Sequence, residues 1–325
     1  MKTKYLLLIS LGILVGILSR AADAQAWPQK PIRMIVPFPP GGGNDLIGRI
    51  VAQELTKRLG QTVFVENRAG ANGIIGLQAL KQAPADGYTI GTSSDGPLVI
   101  NPAIREDLPY DVRRDFAPVA LAITQPMVLV VHPSMPVRSV QDLLKLGRNR
   151  PDAVAYSSAG LGNISHLSGE LLAEAGGARF LHVPYKGGEP ATTAVISGEV
   201  QFMFGTVQNV IEHTRRRKLL AIGTGEPPGQ RLPTLPAVPA IGETVKGYES
   251  KTWNGFVLPA KTSVEIVERF ANEIRSIMQQ NDVTGQLVAL GATPAPLGPE
   301  EFAALMRRDA QKWVLLAQTR NIRAQ

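Results

Sequence analysis

The 325-residue chain contains no cysteine, which excludes disulfides, thiol nucleophiles and thiolate metal sites. Its four histidines, His132, His166, His182 and His213, form no HExxH or other paired-ligand spacing, so neither a metal nor a cofactor is expected. The glycine-rich segments lack the GxGxxG spacing of a dinucleotide loop and the Gly-Lys-Ser/Thr of a P-loop. No GxSxG elbow surrounds Ser157, Ser158 or Ser165. The net charge is +7, yet the densest basic run is only Arg215-Arg216-Arg217-Lys218 at the end of a predicted helix. The helix dipole favours cations there, so no nucleic-acid partner is expected.

Apolar residues concentrate at the start of the chain. Lys2 and Lys4 precede a run from Tyr5 to Leu18, and Ala22-Asp23-Ala24 and Ala24-Gln25-Ala26 both fit a small-x-small cleavage pattern. This reads as a secretory signal peptide over 1–26, too short to favour a spanning helix. Cleavage after Ala26 leaves 299 residues with a net charge of +5, expected to be soluble and exported. Without disulfides, such a chain relies on a large core, and its length suits two domains.

Pro37-Phe38-Pro39-Pro40-Gly41-Gly42-Gly43-Asn44-Asp45 follows the apolar run Ile32–Val36 and precedes Leu46, Ile47, Ile50, Val51, Leu55 and Leu59 at helical spacing. The pattern is a strand, a tight turn and a helix N-terminus, with Asn44 or Asp45 as the expected N-cap. Free N–H groups at such a corner suit an anion. The residues alone leave a plain βα turn equally open. Asp45, the one carboxylate of the loop, is expected to cap backbone N–H groups, with a ligand ammonium as the alternative.

Strands and helices then alternate. Thr62–Val65 is a strand ending in Glu66–Gly73, Ile74–Ala83 a helix, and Tyr88–Thr92 a strand ending in Ser93-Ser94-Asp95-Gly96. Pro126–Val131 is another strand and Val140–Leu146 a helix. The opening pattern recurs at an offset of 119, with strand Ala153–Tyr156, turn Ser157-Ser158-Ala159-Gly160-Leu161-Gly162-Asn163, helix Ile164–Ala175 and strand Phe180–Val183. Strands at Gln201–Phe204, Leu219–Ile222 and Trp253–Pro259 follow, with 225–247 a long Pro/Gly-rich loop. Helices at Val264–Gln280, Val283–Leu290 and Pro299–Ala317 close the chain. The expected fold is α/β with two lobes, 27–124 plus 252–325 and 125–251, each a largely parallel sheet flanked by helices. Ligands on such sheets sit at the carboxyl ends of the strands. That points to Phe38, Pro40, Gly41, Gly42, Gly43, Asn44 and Asp45 in one lobe, with Ser94 and Asp95 nearby. In the other it points to Ser157, Ser158, Ala159, Gly160, Gly162 and Thr206, with His166 packing behind the loop or touching ligand. Trp253 is placed on the far wall, and Arg68 and Lys186 add positive potential or are plain surface charges.

The string Trp27–Asp45 resembles the start of the Bug-type, TctC-like solute receptors of tripartite tricarboxylate transport. Further matches are Glu66–Gly73, Pro84–Thr89, Ser157–Gly162 with His166-Leu167, His182–Gly188 and Asn254-Gly255-Phe256, in order along the whole mature chain. The resemblance implies a periplasmic two-lobed binding protein of the type II Venus-flytrap kind, monomeric and without catalysis. It implies a ligand carboxylate held between Phe38–Asp45 and Ser157–Gly162, and membrane transporter subunits as partners. The ligand is then a small organic anion: a di- or tricarboxylate, an acidic amino acid or an aromatic carboxylate. Asp95 departs from the pattern and is expected to tune selectivity toward an amine-bearing or amide ligand. Two alternatives are a sensor feeding a two-component kinase and an exported α/β hydrolase using Ser158 with His166.

Overall fold

The computed structural model describes residues 27–323; the expected signal peptide and its cleavage site lie outside them. The first lobe opens with β1 (Ile32–Val36), α1 (Gly43–Leu59), β2 (Val63–Asn67), α2 (Ile74–Lys81) and β3 (Thr89–Ser94). A π-helical turn over Gly96–Ile100 runs into α3 (Asn101–Ile104), then α4 (Val112–Asp115) and the long β4 (Phe116–Pro126). The second lobe comprises β5 (Val128–Val131), α5 (Val140–Asn149), β6 (Ala155–Ser158), α6 (Ile164–Gly176), β7 (Leu181–Pro184), α7 (Gly188–Ile196), β8 (Phe202–Gly205), α8 (Val207–Arg215) and β9 (Leu220–Thr224). The chain then returns through β10 (Lys251–Pro259), α9 (Val264–Met278), α10 (Asn281–Ala289), β11 (Thr293–Leu297) and α11 (Pro299–Thr319). No helix among the described residues is long and apolar enough to cross a membrane.

Two sheets result, ordered β11-β4-β10-β3-β1-β2 and β7-β6-β8-β5-β9. Both are mixed. β2, β1 and β3 are parallel, as are β7, β6 and β8, while β10 runs antiparallel to β3 and β4, and β5 antiparallel to β8 and β9. The parallel strands are those joined by helical crossovers, which such pairing requires. The strands that carry the chain between lobes, β4 to β5 and β9 to β10, are antiparallel to their neighbours, as is the edge strand β11.

Those passages lie side by side. The Met127 N–H donates to the Ser250 carbonyl at 2.9 Å, the Gly225 N–H donates to the Met127 carbonyl at 2.7 Å, and the Ser250 N–H donates to the Gly225 carbonyl at 3.2 Å. A Cβ on Gly225 would lie 1.9 Å from the Ser250 carbonyl oxygen, so the close approach admits only glycine.

Burial follows the sequence periodicity. Ile47, Val51 and Leu55 of α1 pack with Ile32, Met34, Phe256 and Phe270 on one face of the first sheet. Each such side chain contributes about 1.5–3 kcal/mol. Gly48 lets α1 lie close on the sheet, since a Cβ there would sit 3.1 Å from Val36 Cγ2. Val128, Val130, Met203 and Val210 form the core under α7 and α8. A third cluster joins both lobes through Tyr156, Tyr248, Trp253 and Trp313. Across that junction Arg320 Nε donates to Glu170 Oε2 at 2.8 Å, tying the end of α11 to α6.

Several expectations shift in detail. β6 continues through Ser157 and Ser158, which are fully buried strand residues, where a turn was expected. Trp253 is 2% exposed, donates from Nε1 to Asp309 Oδ2 at 2.7 Å and packs edge-on against Phe302. It belongs to the core behind β10, because the strand's alternation turns it away from the cleft.

Candidate binding cleft

The carboxyl ends of β1 and β3 face those of β6 and β8 across a cavity of about 480 Å³ lined from both lobes. A larger depression, about 880 Å³, lies between residues 98–118 and α11, entirely within the first lobe. The interlobe cavity is the candidate site, because it gathers the glycine loops and helix N-termini.

The first loop is fixed from beneath by Asp45. Its carboxylate, 1% exposed, accepts from the Gly41 N–H at 2.9 Å, from Arg49 Nε at 2.9 Å and from Asn67 Nδ2 at 2.8 Å. Burial alone would push this acid up, but the hydrogen bonds from Arg49, Gly41 and Asn67 outweigh it and hold it below its ordinary range. Asp45 is thus the expected cap of backbone N–H groups, reaching back to Gly41. The N-cap itself is Gly42, at φ −76° and ψ 166°, without a side-chain bond. Asn44 and Asp45 are instead inside the first helical turn, because the chain enters helical geometry at Gly43. The Leu46 N–H makes the first helical bond, to the Gly42 carbonyl at 3.0 Å, so the N–H groups of Gly43 and Asn44 precede the helical ladder. Gly41, at φ +85°, makes the turn that aims them.

The second loop is capped by Asn163, whose Oδ1 accepts from the Ser165 N–H at 3.0 Å and from Ser165 Oγ at 2.9 Å. Ser165 Oγ in turn accepts from the Ala159 N–H at 2.9 Å. Two further helices end on the cleft. α7 begins at Gly187 and α8 at Thr206, neither with a side-chain cap bond; the Thr206 hydroxyl donates to Asn209 Oδ1 at 2.7 Å instead. Helices α1, α7 and α8 therefore bring uncapped N-termini to one cavity.

Phe38, Gly41, Gly42, Gly43, Asn44, Ser94, Asp95, Ala159 and Thr206 line this cavity. The remaining candidates stand behind it or on its rim. Pro40 is an exposed rim residue. Ser157 Oγ donates to the Ala191 carbonyl at 2.8 Å, anchoring α7. Gly160, at φ +132°, donates its N–H to Ser158 Oγ at 3.2 Å. Gly162, at φ +73°, donates its N–H to His166 Nδ1 at 3.2 Å. Ser158 Oγ lies 2.6 Å from His182 Nε2, so its histidine partner is His182 and not His166. The reason is register: Ser158 stands opposite Pro184 on β7, while His166 lies in the first turn of α6. The two imidazoles stack with centroids 3.9 Å apart. Burial lowers His166 to about 4, and burial with the neighbouring His166 lowers His182 to about 3. Both are neutral at pH 7, so the 4.0 Å approach of His166 to Glu170 is not an ion pair. Arg68 pairs with Glu66, and Lys186 is exposed outside the cavity.

Sequence reading missed the floor, which is Gln125 from β4 with Thr252 and Asn254 from β10, and the Gly188–Glu189 corner. Asp95 sits on that floor, 3% exposed; Thr252 Oγ1 donates to its Oδ1 at 2.8 Å, and its Oδ2 has no partner. Burial pushes it up to about 7 against the Thr252 bond, with the Asp309 charge adding to the rise.

The profile of the family described as "Tripartite tricarboxylate transporter family receptor" matches residues 47–322. The chain belongs to that family of receptors. It is 39% identical to the "UPF0065 protein in tcbD-tcbE intergenic region" of a Pseudomonas species, covering 91% of this chain and 88% of the relative. It is 34% identical to the protein BugT of Bordetella pertussis, covering 96% and 95%. Among solved structures, "R. palustris Rpa4515 with adipate" superposes with a TM-score of 0.82 at 29% identity, covering 92% of this chain and 99% of that one. "MatC (Rpa3494) from Rhodopseudomonas palustris with bound malate" does so with a TM-score of 0.76 at 27% identity, covering 89% and 99%. "Structure of periplasmic binding protein BugD" superposes with a TM-score of 0.78 at 28% identity, covering 92% and 100%, and the tripartite receptor shares the fold of these structures.

Proposed function

We propose that this receptor captures a small organic carboxylate between its two lobes and delivers it to membrane transporter subunits, without chemistry on the ligand. The observation that carries the reading is the convergence of the uncapped N-termini of α1, α7 and α8 on one interlobe cavity. Each contributes about 0.3–1 kcal/mol toward an anion, and up to about 2 when partly buried. Charge-assisted hydrogen bonds from N–H groups add about 1.5–3 kcal/mol each. Several of these, less the cost of immobilising the ligand, reach micromolar binding at about −8.2 kcal/mol. The adipate and malate in the two relatives from Rhodopseudomonas are carboxylates of this kind.

In this reading residues 27–124 with 252–325 close against 125–251, hinged at the paired passages through Met127 and Ser250. The chain is exported and cleaved after Ala26. Gly42, Gly43, Asn44, Ala159 and Thr206 contact the carboxylate, while Asp45, Ser157, Ser158 and His166 hold the loops. Ligand favours closure only through contacts made to both lobes. Calorimetry and thermal denaturation of the mature chain with a panel of mono-, di- and tricarboxylates test this. Saturable one-site binding with a raised melting temperature is expected; a panel with neither heat nor shift contradicts it.

A further inference from the structure

The charges that line the cleft are all of one sign. Among the described residues, Asp95 and Glu189 are its only ionisable side chains, and no Lys, Arg or His lines it. The uncapped helix termini suffice for one carboxylate. A second carboxylate on the same ligand would meet no cation and would enter beside an acid.

Asp95 has an unmet need of the opposite kind. Its side chain is 3% exposed, one oxygen accepts from Thr252, and the other has no hydrogen-bond partner among the described residues. It makes no ion pair among them either. Behind it, Lys312 Nζ is engaged with the Glu249 carbonyl at 2.5 Å, and Asp309, a second acid, accepts from Trp253 Nε1. A buried carboxylate with a free oxygen is costly unless paired. It stands at the carboxyl end of β3, next to Ser94, which lies opposite Asn254 on β10. Asn254, 3% exposed, also has an unpartnered Nδ2. This floor is built of the first lobe's sheet, apart from the helix termini of α7 and α8.

We propose that Asp95 receives the cationic amine of a ligand whose carboxylate lies at the helix N-termini, so that this receptor selects amino-carboxylates over dicarboxylates. The proposal rests on the reading of the cleft as a carboxylate site. The ammonium supplies donors to the unpaired Oδ2, and its charge offsets both cleft acids. A dicarboxylate of equal length supplies neither.

The test is calorimetry on the mature chain with length-matched pairs: succinate against γ-aminobutyrate, glutarate against δ-aminovalerate, and adipate against ε-aminocaproate. The amino-carboxylate of at least one pair should bind about tenfold tighter or more, the worth of a charge-assisted bond. Asp95→Asn, which keeps the shape, should abolish that preference and leave the dicarboxylate unchanged or tighter. A wild-type preference for the dicarboxylates, or an amine preference that survives in Asp95→Asn, overturns the inference while leaving the receptor reading intact. Binding of neither member of any pair overturns the inference, and the receptor reading falls with it only when the wider carboxylate panel is silent as well. The wild-type comparison decides the matter even if the variant does not fold.

Discussion

Asn67 donates one side-chain amide to Asp45 Oδ1 at 2.8 Å and to the Phe38 carbonyl at 3.0 Å, so the end of β2 holds the loop that follows β1. With the Gly41 bond, this makes Asp45 a post around which the first glycine corner is wrapped. Asp45→Ala should cost about 1–3 kcal/mol, the penalty for leaving buried donors unpaired. It should also weaken ligand binding, although Asp45 does not line the cleft. Asp45→Asn should retain part of both. Denaturant midpoints and calorimetry on the variants check this; a stable Asp45→Ala chain with wild-type affinity would show that the loop holds its shape unaided.

The stacked His166 and His182 give a pH dependence whose sign is fixed. Both are neutral when folded, at about 4 and about 3, against an ordinary 6.5 when unfolded. Below 6.5 the unfolded chain therefore binds more protons at these two sites, and the stability they contribute falls as pH drops from about 6.5 toward about 3. Their contribution is fully present above 6.5. His182→Phe keeps an aromatic ring between His166 and Tyr156 but removes one titrating group, so it should flatten this slope. Melting temperatures measured across the window would show it; an unchanged slope would assign the acid sensitivity to other groups.

Gly162 is the point where the second loop meets the first lobe. It is at φ +73°, and a Cβ there would lie 2.1 Å from Ile104 Cδ1. Gly162→Ala should weaken binding by impeding approach of the lobes, and should cost about 1–2 kcal/mol for the left-handed backbone. Ile104→Ala in the same chain should relieve the clash but not the backbone strain, giving partial rescue. Full rescue would mean that the steric contact alone matters, and no rescue that the backbone alone does.

The legible parts of the sequence were those with local punctuation. Pro37–Gly43 between an apolar strand and a 3.6-residue period announced β1, its loop and α1, and Ser157–Asn163 did the same for α6. Other elements were hidden by residues that break local rules. β11 reads Thr293-Pro294-Ala295-Pro296-Leu297 and survives because it is an edge strand. The helical stretch over Gly96–Ile104 carries Pro97 and Pro102 in first-turn positions, where the missing N–H costs nothing. Ser157 and Ser158 look like turn residues and are buried in β6, because their hydroxyls find Ala191 and His182 across the fold. The same limit hid the start of α7. Gly187 reads as an ordinary helix start, and only the sheet order brings α7 to the cavity that α1 faces. Thr206, at the start of α8, is legible as the end of a strand.

The central claim, that free helix N-termini hold the ligand carboxylate, is tested most directly at Gly42. Its extended backbone accepts any residue, and a Cβ there would have as its nearest neighbour the Pro39 carbonyl oxygen at 3.7 Å. Gly42→Asp supplies α1 with the cap it lacks, so the unliganded chain should be as stable as wild type or more so. The new carboxylate then competes for the N–H groups of Gly43 and Asn44. Calorimetric titration of a carboxylate that binds the wild-type chain should show affinity reduced about a hundredfold or more in Gly42→Asp, the worth of one or two charge-assisted bonds, and nearly unchanged in Gly42→Ala. Wild-type affinity in a folded Gly42→Asp would contradict the account.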